Sequence, residues 1–410
     1  MGSELRRLGW LPALLIVGAG VIAALVSLQA LGSDSGAPPR QVSAVVPAPR
    51  PAQAESAVPA GRAHPQAVEP PAGGSAAADN QPAVNQPAVT AAPSRRRANA
   101  PNVRKAVGRK IMTAFTGTYP SQALLDRARR GEIGGVILFG PNITANVGQA
   151  IAALQQAARD GGNAPLLIAT DQEGGPVRRL SQAPPTIAAA QMTAASAGGE
   201  GSATGQALAR LGINVDLAPV ADVNHGSFLG SRSFDTDPAR VAAAACQFAQ
   251  GLQSTGVHAT LKHFPGLGRT AQNTDLHAVS VGASADALTT DLAPYRRCAA
   301  QTSMVMLSNA TYPAFDPSGP AVFSKRIINE LLRGQLGFRG VTISDTLAAP
   351  GVASSTTAVR ASQAGVDMLL YVDEQISARA YANLLGAVRR GELSKATVLA
   401  SAKRIRALAR

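Results

Sequence analysis

Cysteine is nearly missing from this chain of 410 residues, which holds only Cys246 and Cys298, beside one tryptophan and 5 histidines. Neither cysteine is near the apolar run at the N-terminus, which excludes a lipid anchor on that run. Aromatic residues make up 4% of the sequence and the basic residues are scattered, so the stacking platforms and basic stripe of a nucleic-acid binder are absent. The histidines show no compact ligand spacing such as H-x-x-x-H, so no metal site is expected. No G-x-G-x-x-G turn follows the first strand candidate, which disfavours a dinucleotide-binding sheet.

What is present starts with a run from Leu8 to Gly32 that contains no charged residue. About 20 apolar residues suffice to cross a bilayer as a helix. Arg6 and Arg7 precede the run, which predicts a cytoplasmic N-terminus and an exported remainder. Residues 1–32 are expected to be an N-terminal transmembrane anchor, with a cleaved signal as the alternative. Residues 33–102 are rich in Ala, Pro, Ser and Gly and include the tandem "NQPAVNQPAV". Such a stretch buries too little apolar surface to offset its ordering entropy and is expected to be a disordered tether.

Residues 103–410 then form one catalytic-sized unit. The whole chain carries a formal charge of +13, which fits attraction to an anionic envelope or simple solubility. Short apolar runs alternate with Ala-rich helical patterns such as "NVGQAIAALQQAARD" (146–160). The runs are "GGVILFG" (134–140), "PLLIATD" (165–171), "NVDLAPVAD" (214–222), "HATLKHF" (258–264), "SMVMLSN" (303–309), "GVTISDT" (340–346) and "VDMLLYV" (366–372). Continuous runs of this kind suit parallel strands buried on both faces. Seven visible units indicate a (β/α)8 TIM-type barrel with one degenerate unit, against an open doubly wound sheet as runner-up.

Polar residues stand where these strands end: Asp171 with Glu173, Asp222, Lys262 with His263, Asn309 and Asp345. In a barrel such ends converge on the C-terminal rim, where active sites are built. Between strands, "LKHFPGLGRTAQNTDLH" (261–277) places Asp275 two residues before His277 on a polar excursion. On an extended loop the two would face the same way. The carboxylate could then hold one ring nitrogen and leave the other to act as a general acid. Cys246 and Cys298 lie in helical segments before successive strands, so they are either bridged or two small buried residues.

"LKHFPGLGRT" with its downstream D-x-H resembles the K-H-F-P-G-x-G motif of glycoside hydrolase family 3, in its bacterial β-N-acetylglucosaminidase branch. "ATDQEGGPVRRL" (169–180), "GSRSFDTDP" (230–238), "GVTISDTL" (340–347) and "AGVDMLL" (364–370) resemble further blocks of that family, in the same order. The resemblance implies Asp345 as nucleophile, His277 as general acid/base and Asp275 as the residue that orients it. It also implies Asp171, Arg179, Arg232, Lys262 and His263 as the residues that grip the sugar, and no metal or organic cofactor. The departures are Leu267, Asn309, Thr346 and Pro176, where the family often has other residues. The expected activity is retaining removal of terminal non-reducing GlcNAc from peptidoglycan fragments (GlcNAc-containing muropeptides). The expected protein is a monomer held to the membrane by its N-terminal helix. A β-glucosidase of the same family and a non-catalytic wall-binding module are the rivals.

Overall fold

The computed structural model describes residues 102–409. The expected membrane anchor and tether fall outside these residues. Among the described residues no helix is long and apolar enough to cross a membrane.

Eight parallel strands form one sheet, named here in chain order. They are β1 (Ile111–Thr113), β2 (Gly135–Ile137), β3 (Leu167–Thr170) and β4 (Val215–Asp216). Then come β5 (His258–Phe264), β6 (Met304–Leu307), β7 (Val341–Ser344) and β8 (Leu369–Tyr371). From β1 to β7 each pairs with its neighbours in sequence, and β1 also pairs with β8 in register Ile111 to Leu369. At the remaining seam, Ile343 bridges Met368, Ser344 N–H donates to Met368 O and Leu347 N–H donates to Leu370 O. The sheet thus all but closes on itself, as the runs of apolar residues predict. The seven strands visible in the sequence are β2 to β8, and the degenerate unit is the first. The Lys262–His263 pair therefore ends the fifth barrel strand, and Asp345 follows the seventh.

Both faces of the strands are apolar because both are covered. Leu167, Ala169, Leu217, Met304, Met306 and Ile343 point into the barrel and fill its interior, while Val136, Ile168, Val305 and Leu369 face the helix layer. That layer includes the helices Val147–Asp160, Ala194–Arg210, Pro238–Gln253 and Glu374–Arg389. Their starts follow local chemistry: Asp237 caps the free Ala239 amide just ahead of Pro238, and Asp373 caps that of Ile376.

Cys246 and Cys298 are joined, with their Cα atoms 5.7 Å apart. The bond staples Pro238–Gln253 to the short helix Ala293–Cys298, and these segments lead into β5 and β6. It spans 52 residues of sequence, and closing a loop of that length in the unfolded chain corresponds to about 4 kcal/mol. The double variant Cys246→Ser, Cys298→Ser should lose about that much in urea unfolding. An unchanged midpoint would mean that packing alone holds the two helices.

Candidate active site

The strands end in a blind cavity of about 170 Å³, floored by barrel-interior residues such as Ile137, Leu217, Met306 and Leu370. Its walls hold Asp171, Glu173, Arg179, Arg232, Lys262, His263, Asp275 and Asp345. Seven of the eight expected site residues thus meet in one pocket, and only His277 does not line it.

Lys262 and His263, joined by a cis peptide bond, both line the wall at the end of β5. The Lys262 side chain is 2% exposed, and its Nζ donates to Asp171 Oδ1 at 2.8 Å and to Glu173 Oε1 at 2.6 Å. Glu173 also accepts a fork from Arg232, Nε to Oε2 at 2.8 Å and Nη2 to Oε1 at 2.9 Å. The guanidinium fork expected to hold substrate oxygens is thus occupied by an internal carboxylate. Burial alone would raise the Glu173 carboxyl, but the Lys262 and Arg232 charges outweigh it and hold it near about 2. Glu173 is a fixed anion that arranges two cations, and nothing in local spacing shows this. Arg232 lies 59 residues away along the chain.

Asp171 keeps one oxygen less committed, with Arg179 Nη2 at 3.9 Å from Oδ2. Arg179 itself stacks over Phe139, its Cζ 5.5 Å from the ring centroid. The turn that places Glu173 needs Gly174, whose φ is +98° and whose missing Cβ would stand 2.3 Å from Ile187 O. His263 donates through Nδ1 to Asp222 Oδ2 at 2.7 Å, and Asp222 also accepts the amides of His263 and Leu267. The ring is thereby held with its other nitrogen free.

Beneath this wall Asp216 is fully buried at the end of β4 and accepts the Gln172 amide at 2.9 Å. Burial pushes its carboxyl well above the usual carboxylate range, against the Gln172 amide and the Lys262 charge.

Asp345 leaves β7 into the pocket, and its Oδ1 accepts the Thr346 amide at 2.7 Å. Asn309, beyond β6, holds the same loop by donating to Thr346 O. Asp275 also lines the pocket, on the loop after β5. Burial at the pocket mouth, then the nearby Asp345 carboxylate, raises Asp275 to about 6. The residue as a whole stays exposed at the rim.

The loop is not extended where Asp275 and His277 stand. Asn273 Oδ1 accepts the Asp275 amide, and Asn273 O accepts the amides of Leu276 and His277. This closes one helical-type turn, a familiar use of Asn. The two side chains therefore diverge: no hydrogen bond or ion pair joins Asp275 to His277 among the described residues, and His277 is exposed. Between them Leu276 is 65% exposed, an apolar side chain left in solvent at the rim. Among the described residues no cluster of His, Cys, Asp and Glu is placed to hold a metal ion.

Residues 111–408 match the glycosyl hydrolase family 3 N terminal domain. A β-hexosaminidase of Pseudomonas aeruginosa is 34% identical over 283 residues, covering 65% of this chain and 83% of its own. An uncharacterized secreted glycosyl hydrolase of Arthroderma benhamiae is 34% identical over 324 residues, covering 73% and 91%. A glycoside hydrolase family 3 β-N-acetylglucosaminidase structure from Paenibacillus sp. str. FPU-7 superposes with a TM-score of 0.71 at 34% identity. The match covers 75% of this chain and 62% of that longer one. The chain belongs to glycoside hydrolase family 3, and it is a glycoside hydrolase.

Proposed function

We propose that this glycosidase is a retaining exo-β-N-acetylglucosaminidase, and that it removes terminal non-reducing GlcNAc from peptidoglycan fragments. The observation that carries this reading is the convergence of Asp345 and the Asp275 loop on a single blind pocket with a polar wall. A blind pocket suits a chain end, not an internal unit, because its floor leaves no exit for a continuing polymer. The names of the bacterial and Paenibacillus relatives favour the amino sugar.

In this reading Asp345 attacks the anomeric carbon and forms the glycosyl-enzyme, while His277 protonates the leaving oxygen. Water then displaces Asp345, with His277 now accepting the proton. Asp171 and the free nitrogen of His263 present acceptors, and Lys262 a donor, to the ring hydroxyls. Glu173 is a poor rival for the acid, since three short bonds keep it ionised. His277 reaches the pocket only when its loop folds inward, and closure would also bring its ring to Asp275. A histidine acid then needs Asp275 ionised, to fix the tautomer and hold the imidazolium.

This has a pH consequence with a definite sign. Asp275 is charged above about 6 and neutral below it in the free enzyme. Second-order rates report the free enzyme, so kcat/KM should fall on the acid side as pH drops through about 6. The acid limb of kcat should lie lower, because the imidazolium in the closed loop stabilises the carboxylate. Both limbs lying near the ordinary carboxylate value would reject the assignment. The disulfide and the secreted fungal relative favour an extracytoplasmic catalytic domain. Releasing GlcNAc, and not glucose, from matched nitrophenyl glycosides tests the sugar class.

A further inference from the structure

The loop that bears Asp275 and His277 is clamped at its base, and the clamp stops abruptly. Asp291 ends the helix Ala285–Asp291 and is 1% exposed. Arg269 donates to it through Nε to Oδ2 at 2.5 Å and through Nη2 to Oδ1 at 3.1 Å, a two-pronged pair. The same Nη2 reaches Ala287 O at 3.3 Å, and His225 Nε2 lies 2.9 Å from Asp291 Oδ1. The backbone repeats the pattern: His225 N–H donates to Gly268 O and Phe228 N–H to Thr270 O. Gly268 lies so close to the same segment that a Cβ there would stand 1.7 Å from Val223 O.

Past Thr270 these ties end. Residues 271–278 are exposed apart from half-buried Asn273 and buried Thr274, and their backbone bonds run within the segment or to the adjacent Thr270 hydroxyl. Ties to the scaffold resume where Thr311 N–H donates to Val279 O and Val281 N–H donates to Thr311 O. An eight-residue segment with no backbone-to-backbone hydrogen bond to the scaffold is therefore held between two fixed points, and both residues proposed to handle the proton lie within it.

We infer that Asp291 is a positioning residue for the glycosidic reaction: through Arg269 and His225 it fixes the hinge about which the Asp275–His277 segment closes. The inference rests on the reading of His277 as the acid. Asp291 touches no substrate in this scheme. Its effect is confined to where the proton donor arrives, and small misplacements of such a group cost on the order of 10²-fold in rate.

The test separates proton delivery from everything else by varying the leaving group. The full chain is prepared as Asp291→Asn, Arg269→Gln and His277→Ala, and kcat/KM is measured on an alkyl N-acetylglucosaminide and on N-acetylglucosaminyl fluoride. The alkyl group needs a proton to depart and the fluoride does not. Asp291→Asn and Arg269→Gln should each lose about 10- to 100-fold on the alkyl glycoside and less than about 2-fold on the fluoride, in parallel with His277→Ala. Retained activity on the fluoride also proves each variant folded. Equal losses on both substrates, or no loss on either, would overturn the inference, since that is what a plain structural ion pair gives. If His277→Ala shows no leaving-group dependence, the histidine reading itself fails. If it does and the clamp variants do not, only the clamp fails. Arg269→Gln leaves Asp291 paired with His225, so it decides the matter should Asp291→Asn not fold.

Discussion

Asp345→Asn should abolish turnover, with kcat falling at least ~10⁴-fold, as for other nucleophiles removed from covalent mechanisms. The substitution keeps the shape and keeps an oxygen for the Thr346 amide, which Asp345 accepts at 2.7 Å. The β7 ladder and the Asn309 anchor on Thr346 are untouched, so the loop should stay in place and sugar affinity should change little. What is lost is the anionic oxygen that attacks the anomeric carbon. Treating the parent enzyme with a fluorinated glycosyl fluoride and mapping the labelled peptide should find the adduct on Asp345. A label on Glu173 or Asp275 instead would reassign the chemistry. Asp345→Asn has a second expected effect: with that anion gone, the Asp275 carboxyl should titrate lower than about 6.

His277→Ala should lose about 10²–10⁴-fold in kcat/KM on substrates with poor leaving groups, the usual contribution of a positioned acid. The loss should shrink toward nothing as the leaving group improves, and the bell-shaped pH profile should flatten. Because His277 is exposed and makes no side-chain bond in the open loop, its removal should leave the unfolding midpoint unchanged. A uniform loss across leaving groups would mean that His277 binds and does not protonate. The two variants thus fail in different ways, one in forming a bond and one in releasing a group.

Much of this could be read from the residues. Strands buried on both faces announce themselves as unbroken apolar runs, and the barrel puts their polar ends on one rim. The element that escaped is β1, three residues long and preceded by Lys110. That lysine is fully buried, its ammonium bonded to the carbonyl oxygens of Val366 and Asp367, more than 250 positions away. A charged residue satisfied at such range breaks the apolar pattern with no local compensation.

Glu173 is hidden for the same reason. Its partners Lys262 and Arg232 come from other βα units, so only the closed barrel shows that it is spoken for. The turn at Asn273 did have a signal, since an Asn in a polar stretch favours local side-chain capping over extension. Reading residues 273–277 as extended aimed Asp275 and His277 together, whereas the turn separates them. Sequence spacing gives distance along a chain, and the proton-handling pair depends on the direction of two side chains.

Lys262 carries three protons on Nζ, and Asp171 and Glu173 take two of them at short range. On the proposed role of Lys262 a single N–H is left for the sugar, and its direction is set by these two carboxylates. Such a donor checks the handedness of one carbon. An epimer with that hydroxyl turned over would leave the proton facing empty space in a closed pocket, at a cost of about 1–3 kcal/mol. On that reading the wall would screen stereochemistry before any bond is broken.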